Sequence, residues 1–276
     1  MVDFTNTTFL IPFMVDNLDR IFNINIILEY LNKNFKTNVV IVEQGSKKTD
    51  INFHTFHNLN IQHILYENTD NFHKTKLYNL GLSSIKTQNT VCLDSDVLIP
   101  VEQMIQAKKY LDDGVDYCFP FNNNYVEISK FLENARAKFL KSFNFDEYIN
   151  SINEYTVSIY NKLPLRSRHP GIIRNCPPGG CLFIKTNVYI DMGMENEDFY
   201  GYGPEDAERK HRLNILGYSS RNVDGNLYHL DHETAHRRIS NNSGKQLYNL
   251  FLSMNAQEIK NYYSNKRYAK QYGIDI

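Results

Sequence analysis

The sequence predicts an α/β protein built around a mostly parallel sheet. Three observations indicate this fold class. Segments with the pattern of buried strands alternate with segments of helical periodicity over the first hundred residues. The chain has 276 residues, of which 42% are hydrophobic, enough to bury a full core. No apolar run approaches the length that crosses a membrane. Functional side chains are therefore expected at the carboxyl ends of the strands.

The first hundred residues supply the clearest elements. The segment "TTFLIPFMV" predicts a buried strand, "LDRIFNINIILEYLNKNF" has helical apolar spacing, and "NVVIVEQG" predicts a β-branched strand that ends in a glycine turn. After a variable stretch, "FHKTKLYNLGLSSI" predicts a helix. The segment "NTVCLDSDVLIP" then predicts a strand that continues into a loop.

The rest of the chain is less regular. In the middle, 101–175, "EISKFLENARAKFLKSF" and "FDEYINSINEYTVSIYNKL" predict helices, and "PLRSRHPGIIRNCPPGG" predicts a loop. The segment "CLFIKTNVYIDMG" predicts a strand and a helix, and "GYSSRNVDGNLYHLDHETAH" predicts a strand that leads to a histidine-bearing turn. From Gly244 the spacing is helical again. Neither an internal repeat nor a Pro/Ser-rich linker is present, so we expect one domain.

Charge and cysteine content narrow the function classes. The formal net charge is −1 without a long block of one sign, which gives nucleic-acid binding little electrostatic support. The four cysteines form no Cys-x-x-Cys pair and lie mostly among apolar neighbours. We expect them to be reduced and buried, as in a cytoplasmic protein.

Two segments carry residues that could bind a metal ion. In "LDSDV", Asp94, Ser95 and Asp96 directly follow a strand and can project carboxylates into a cleft; the alternative is a solvated turn. In "YHLDHETAH", His229 and His232 have a spacing that can place both imidazoles on one side of a turn, and His236 is a weaker candidate, for a phosphate contact. The alternative is a set of surface histidines. Imidazole favours Mn²⁺ or a later transition metal over Mg²⁺ or Ca²⁺.

The segment "DMGMENEDFYGYGPEDAERKHRL" places Glu205 and Asp206 behind a turn in which glycines alternate with aromatic residues. Pro204 and the acids suit the first turn of a helix. A carboxylate there can also face a cleft and accept a proton. The alternatives are a helix-terminal charge for Glu205 and a salt bridge from Asp206 to Arg209 or Lys210.

Other charged residues are individually weaker candidates. Arg20, Lys74 and Lys76 could neutralise a diphosphate, and Glu43, at the end of its strand, could bind a base or a ribose. The alternative for each is a solvated charge.

Taken in order, these segments resemble the metal-dependent glycosyltransferases of the GT-A fold. The resemblance is to the β-1,4-galactosyltransferase-like group and to related N-acetylgalactosaminyltransferases and chondroitin-type polymerases. It extends from Phe9 to His232. "IPF", "FHKTKLYNLG" and "LDSDVLIP" are similar to the donor-site and metal-site segments of the family, and "PPGGCLFIKTNVYIDMG" resembles its Gly-Gly strand before the acceptor region. The resemblance implies that Asp96 binds the metal. It implies donor contacts from the following residues: Pro12, Phe13, Phe72, Lys74, Asp94, Ser95 and Gly180.

The segment "YGYGPED" resembles the family's Trp-Gly-Trp-Gly-Gly-Glu-Asp signature. The match implies that Asp206 is the catalytic base, that Glu205 contacts the acceptor or the donor sugar, and that Tyr202 is an aromatic platform. "HLDH" stands where the family has its last metal ligands. Tyr200 and Tyr202 replace tryptophans, Pro204 replaces a glycine, and Lys74 replaces an arginine. These departures preserve the reaction class and leave the donor and the acceptor open.

The resemblance implies a GT-A, Rossmann-like fold and an inverting transferase. It would move a hexose or N-acetylhexosamine from a UDP-sugar to a hydroxyl of a glycan or glycolipid, using Mn²⁺ or, alternatively, Mg²⁺. We expect a nucleotide-binding half at 1–100, a helical insertion at 101–175, an acceptor and metal half at 176–243 and a helical tail at 244–276.

Two other functions remain open. A sugar-phosphate nucleotidyltransferase would need a glycine-rich basic loop after the first strand, and "IPFMVDNLDR" lacks one. A non-catalytic glycan-binding module would not need the ordered acids and histidines. The family's secreted members carry a membrane anchor and disulfides, which this sequence does not show. We therefore expect a microbial or viral enzyme of surface-glycan synthesis, cytoplasmic or peripheral at the inner membrane face.

Overall fold

A mostly parallel sheet lies at the centre of the protein. The structure is a computed structural model that describes residues 1–122, 124–159, 172–173, 178–201, 203–233 and 242–274. Within these ranges, seven strands form the central sheet: β1 (Val2–Met14), β2 (Phe35–Gly45), β3 (Leu59–Glu67), β4 (Asn89–Leu93), β6 (Tyr117–Phe119), β9 (Cys181–Lys185) and β10 (Ser220–Asn222). Their order is β10-β6-β9-β4-β1-β2-β3. Among these described strands only β9 runs antiparallel to its neighbours.

A smaller sheet continues from the central one. In the described part of the chain it comprises four strands: β5 (Val97–Leu98), β7 (Asn124–Ile128), β8 (Ile172–Ile173) and β11 (Asn226–Leu230). Their order is β5-β11-β7-β8, and β11 runs parallel to β7. Only the loop 94–96 separates β4 of the central sheet from β5 of the smaller one. This loop therefore lies where the two sheets meet.

Helices alternate with the strands, as the sequence predicts. They are α1 (Leu18–Asn34), α2 (Lys74–Leu82), α3 (Val101–Asp112), α4 (Glu133–Ser142), α5 (Phe145–Ile159), α6 (Thr186–Asp191), α7 (Glu205–Ile215), α8 (Asn242–Ser253), α9 (Ala256–Lys266) and α10 (Tyr268–Gln271), with a 3₁₀ turn at Phe53–Thr55. Asn17 caps the amino terminus of α1, and its side chain accepts a hydrogen bond from the Arg20 amide.

The core explains the continuous apolar runs of the first strands. Phe9, Leu10 and Ile11 of β1 are fully buried, as are Ile41 and Val42 of the neighbouring β2. A parallel strand covered on both faces has no solvent-facing side, so its sequence does not alternate.

The helix α7 is fixed to the core at its middle. The guanidinium of Arg212, fully buried, donates to the backbone carbonyls of Met192 and Met194 at 2.9 and 2.7 Å. Its Nε lies 3.0 Å from a carboxylate oxygen of Glu208, which also accepts a hydrogen bond from Tyr263 of α9. Because the middle of α7 is held in this way, its amino terminus, with Glu205 and Asp206, has a defined position.

Several sequence predictions need correction. The segment "EISKFLENARAKFLKSF" is not helical throughout: Glu127 and Ile128 belong to β7, and the helix begins at Glu133. The predicted loop 164–180 contains β8, and 160–171 and 174–177 lie outside the described residues. The segment 101–175 contains helices, as expected of a helical insertion, but it also supplies β6 to the central sheet and β7 to the smaller one. β3 and α3 had no sequence prediction. The spacing of Met104, Ala107 and Leu111, all buried in α3, was a usable signal for that helix, whereas the residues of β3 alternate only irregularly between buried and exposed.

We predict that Gly81→Ala lowers the free energy of unfolding by about 1–3 kcal/mol. Gly81 lies in α2 against the sheet, where an added Cβ would lie 2.7 Å from Val42 Cγ2 and closer still to Leu10 Cδ1. This overlap outweighs the gain of up to about 1 kcal/mol that alanine brings to a helix. The matched control is Gly244→Ala in α8, whose Cβ would meet Pro204 at an ordinary 3.5 Å. Urea denaturation should show the first variant less stable and the control unchanged or more stable; equal effects would contradict the packing argument.

Candidate active site

The loop between the two sheets carries the first acidic residues of the site. The Asp94 amide donates to the Gly180 carbonyl at 2.9 Å, and the Val97 amide donates to the Asp94 carbonyl at 3.2 Å. Ser95 and Asp96 are 7% and 6% exposed. The loop is therefore a tight, buried turn, and its two carboxylates serve different neighbours.

The Asp96 carboxylate faces two histidines. Its Oδ2 lies 3.3 Å from His232 Nε2 and 3.6 Å from His229 Nε2. The three ligand atoms lie within 4.8 Å of one another. In the part of the chain that the structure describes, this is the group of acids and histidines that could hold a metal ion. The predicted Asp–His–His set is thus brought together from the β4–β5 loop and from the end of β11.

Arg20 adds a positive charge to this group. Its guanidinium Nη1 lies 2.5 Å from Asp96 Oδ2, and its Nε lies 3.3 Å from Asp16. Burial would raise the pKa of Asp96, but His229, His232 and Arg20 hold that pKa well below its usual range. Burial opposes the charge of His229, but Asp96 and then Glu127 outweigh it and raise the pKa of His229 to about 9.

A second group centres on the ammonium of Lys74. It lies 3.0 Å from Asp94, 3.1 Å from Asp206 and 3.6 Å from Glu205. Tyr78 also donates to Asp94, at 3.2 Å. Burial disfavours the ammonium, but Asp206, Asp94 and Glu205 outweigh burial and raise its pKa well above the usual range. Lys74 thus joins the loop after β4 to the start of α7.

Arg209 neutralises the other side of Asp206. It pairs with Asp206 Oδ1 and, at 2.7 Å, with the buried Glu195. Tyr189 donates to Glu195 at 2.6 Å. The salt bridge that the i,i+3 spacing of Asp206 and Arg209 suggests is therefore present, and Asp206 faces Lys74 at the same time.

The two neighbouring acids of α7 have opposite pKa shifts. Burial and the charge of Asp206 raise the pKa of Glu205 to about 8. Burial would raise the pKa of Asp206, but the charges of Lys74 and Arg209 outweigh burial and lower that pKa. Glu205 Oε2 is buried without a hydrogen-bond partner among the described residues. At neutral pH the pair therefore offers one ionised carboxylate and one mostly protonated carboxyl group.

Two adjacent glycines allow the chain to approach this group closely. A Cβ at Gly179 would lie 2.9 Å from Asp206 Oδ2. Gly180 has a φ of +83°, and its Cβ would lie 2.8 Å from Leu227. Glycine is therefore needed at both positions of "PPGGCLF", because a side chain would overlap with Asp206 or Leu227. At Gly180 the positive φ also favours glycine.

The other predicted donor-site residues lie along the first strands and α2. Pro12 and Phe13 are buried in β1, and Phe13 pairs in register with Glu43 of β2. The Glu43 carboxylate accepts hydrogen bonds from Thr49 and contacts His63 at 2.8 Å. Burial would raise its pKa, but His63 and Thr49 lower it.

α2 directs its two predicted lysines to different places. The Lys76 ammonium lies 5.2 Å from the centre of the Tyr66 ring, whereas Lys74 lies in the acidic group. Phe72 is partly buried against the core. Tyr202 and His236 lie outside the described residues.

The sequence did not single out Glu127, Tyr78 or Glu195. Glu127 Oε2 lies 3.4 Å from His229 Nδ1. Its segment had been predicted as a helix, which hid its pairing with the histidine strand. Glu195 had no signal, because its partner Arg209 lies 14 positions away.

The protein resembles known proteins in its fold rather than in its sequence. No protein-family model matches the sequence, and no curated protein matches it in sequence. Among solved structures, the catalytic domain of Drosophila β1,4-galactosyltransferase 7 matches with a TM-score of 0.50 and 11% identity, over 90% of this chain and 80% of that chain. GalNAc-T7 matches with a TM-score of 0.55 and 9% identity, over 98% of this chain and 55% of that chain. TarS of S. aureus matches with a TM-score of 0.52 and 13% identity, over 84% of this chain and 37% of that chain.

The predicted GT-A fold is confirmed. The chain covers about half of GalNAc-T7 and little more than a third of TarS. Among the helices of the described residues, none has the length and apolar content needed to span a bilayer.

We predict that the raised pKa of Glu205 makes stability fall as pH rises. Below about pH 4.5 the folded and unfolded states both hold the proton, whereas between pH 4.5 and about 8 the folded state retains a proton that the unfolded state loses. Glu205→Gln should remove this loss. Relative to the wild type, the free energy of unfolding of this variant should increase by about 3–4 kcal/mol between pH 5 and pH 8. Urea denaturation across that range measures the difference. The control is Glu133→Gln, whose side chain is exposed on α4. A Glu205→Gln profile parallel to that of the wild type would contradict the prediction.

Proposed function

We propose that the protein is a metal-dependent, inverting glycosyltransferase that uses a UDP-sugar. One observation carries this proposal: a single buried turn, 94–96, joins an Asp–His–His group to a lysine-bridged acid pair. The first group suits a metal–diphosphate complex and the second suits proton transfer from an acceptor. Direct sugar transfer needs both, a short distance apart.

The Asp–His–His group fits Mn²⁺. Two imidazole nitrogens and one carboxylate oxygen within 4.8 Å of one another are donors that Mn²⁺ accepts, whereas Mg²⁺ prefers oxygen alone. Three protein ligands also leave positions open for phosphate oxygens. When bound, the ion would stabilise the negative charge of the departing diphosphate. Two of the structurally similar proteins are described with such ligands: GalNAc-T7 with UDP, GalNAc and Mn²⁺, and a mutant of the Drosophila enzyme with manganese, UDP-Gal and xylobiose.

The donor would lie across the carboxyl edge of the central sheet. In this arrangement uridine would lie over the carboxyl ends of β1 and β2, where the buried Pro12, Phe13 and Glu43 form the floor, and Arg20 would reach the diphosphate from the start of α1. Arg20 already lies at Asp96, so its charge is available where the phosphates would meet the metal. We assign the nucleotide to the 1–100 half and the acceptor to the 176–243 half.

Asp206 is the proposed general base. Lys74 and Arg209 keep it ionised, which makes it a weaker base but one that is always ready to accept a proton. Glu205, mostly protonated at neutral pH, would instead hold a sugar hydroxyl through its unpartnered Oε2. Environments that separate the pKa values of two neighbouring acids are typical of such divided roles.

The acceptor would approach from the α7 side of the sugar. Asp206 would take the proton from its hydroxyl as that oxygen attacks the anomeric carbon and the diphosphate leaves from the opposite face. We propose a glycan or glycolipid acceptor and a role in polysaccharide synthesis. The buried free thiols of Cys92, Cys118 and Cys181 support a reducing, cytoplasmic location.

For the metal, we predict that Asp96→Ala and His232→Ala each reduce Mn²⁺-dependent release of UDP from UDP-sugars by about a thousand-fold or more. Each variant removes one of three ligands. UDP-Gal, UDP-GalNAc, UDP-Glc and UDP-GlcNAc are the donors to test, with calorimetry of UDP in the presence and absence of Mn²⁺. The control is His57→Ala, which removes an exposed histidine that is distant in sequence from Asp96 and His232. Full activity and full Mn²⁺-dependent UDP binding in His232→Ala would show that the histidines are structural.

For the base, we predict that Asp206→Asn lowers turnover by roughly two to four orders of magnitude, the usual contribution of a general base. The side chain keeps its size but cannot accept the proton, so UDP affinity should change little. Glu205→Gln should weaken the affinity for the sugar or the acceptor and should leave the pH dependence of turnover nearly unchanged. Proton NMR of the wild-type product should show a β-linkage from the α-linked donor. A product that retains the α configuration, or near-normal turnover in Asp206→Asn, would exclude this mechanism.

A further inference from the structure

Glu127 lies beside His229 because of the register of two strands. β7 and β11 are parallel, and Glu127 and His229 are direct partners across them. Glu127 is 8% exposed. Its Oε2 lies 3.4 Å from His229 Nδ1, while Nε2 of the same ring faces Asp96. The imidazole thus lies between two carboxylates, one at each nitrogen.

Tyrosines fix the position of Glu127. The Tyr125 hydroxyl, two residues earlier on the same strand face, donates to Glu127 Oε2 at 2.8 Å. The Tyr125 ring also packs against the His229 ring, with centroids 5.2 Å apart and planes inclined by 30°. Tyr148 of α5 donates to the Glu127 backbone carbonyl at 3.0 Å. Glu127 and the imidazole are therefore held as one packed unit.

His232 has a similar arrangement, in which a backbone carbonyl takes the place of the Glu127 carboxylate. Its Nδ1 lies 2.8 Å from the backbone carbonyl of Glu233, and its Nε2 faces Asp96. In both histidines an oxygen lies near Nδ1, at 3.4 Å for His229 and 2.8 Å for His232, and Nε2 faces the same carboxylate oxygen. Both rings therefore direct Nε2 toward the place where Asp96 offers a metal ligand.

We propose that Glu127 is a positioning residue that prepares His229 to bind the metal through Nε2. If Nδ1–H donates a hydrogen bond to the Glu127 carboxylate, the lone pair of Nε2 is free for the metal, the ring is held in one orientation, and the imidazole becomes a stronger ligand. Glu127 touches neither donor nor acceptor in this role. The inference rests on the proposed function only in that Asp96, His229 and His232 hold a metal ion.

The test is the affinity of the protein for Mn²⁺ alone, measured from the electron paramagnetic resonance signal of free Mn²⁺ during titration. Glu127→Ala should weaken binding by about 10- to 100-fold, the usual effect of losing such a partner. Glu127→Gln should have a smaller effect, because its amide oxygen can still accept a hydrogen bond from Nδ1–H. Glu133→Gln, which removes an exposed carboxylate on α4, should bind like the wild type. Thermal unfolding with a chelator present establishes that each variant is folded.

The outcomes separate this inference from the proposed function. A wild-type protein that does not bind Mn²⁺ contradicts the metal site and, with it, the proposed function. If the wild type binds Mn²⁺ and folded Glu127→Ala binds it equally well, the role of Glu127 is wrong while the proposed function stands. Binding by Glu127→Gln that is weaker than binding by Glu127→Ala would also overturn the inference, since a hydrogen-bond acceptor at Nδ1 would then not matter.

Discussion

The contact between the Lys74 ammonium and three carboxylates is the interaction on which the site depends. Asp94, Glu205 and Asp206 come from two distant parts of the chain, and buried carboxylates without a counter-charge would repel one another strongly. One buried cation makes their assembly possible, and Arg209 supplies a second. The same electrostatic constraint separates the pKa values of the two acids of α7. Asp206 is close to both cations, whereas Glu205 lies beside the negative charge of Asp206.

The C-terminal helices also bear on this arrangement, although they carry none of the proposed catalytic residues. Tyr262 donates to Asp198, and Tyr272 donates to Glu197 at 2.6 Å. These acids belong to the loop that leads to the glycine–aromatic turn before α7. From its other side, Asn79 of α2 donates to the same loop at Glu197. The tail therefore packs on the segment that positions the acid pair.

The sequence predicted the parts of the fold and site that depend on local pattern. The apolar run of β1, the helical spacing of α1 and the acids at the start of α7 are each visible within a dozen residues. Asp96, His229 and His232 were found because their residue types and short spacings already resemble a ligand set. Glu127 was not, because "EISKFL" has helical spacing, and only the pairing of β7 with β11 makes it a strand.

By itself, the sequence determined which residues could do chemistry and the order in which they occur. Tertiary structure decided which of them meet. Lys74 and Lys76 are two residues apart and chemically alike, yet one lies among the acids and the other over Tyr66, since residues two apart point to different sides of a helix. The pKa values of Glu205 and Asp206 likewise differ although the two are adjacent in sequence. Burial and distance to a charge set those pKa values, and both depend on contacts between segments more than a hundred residues apart.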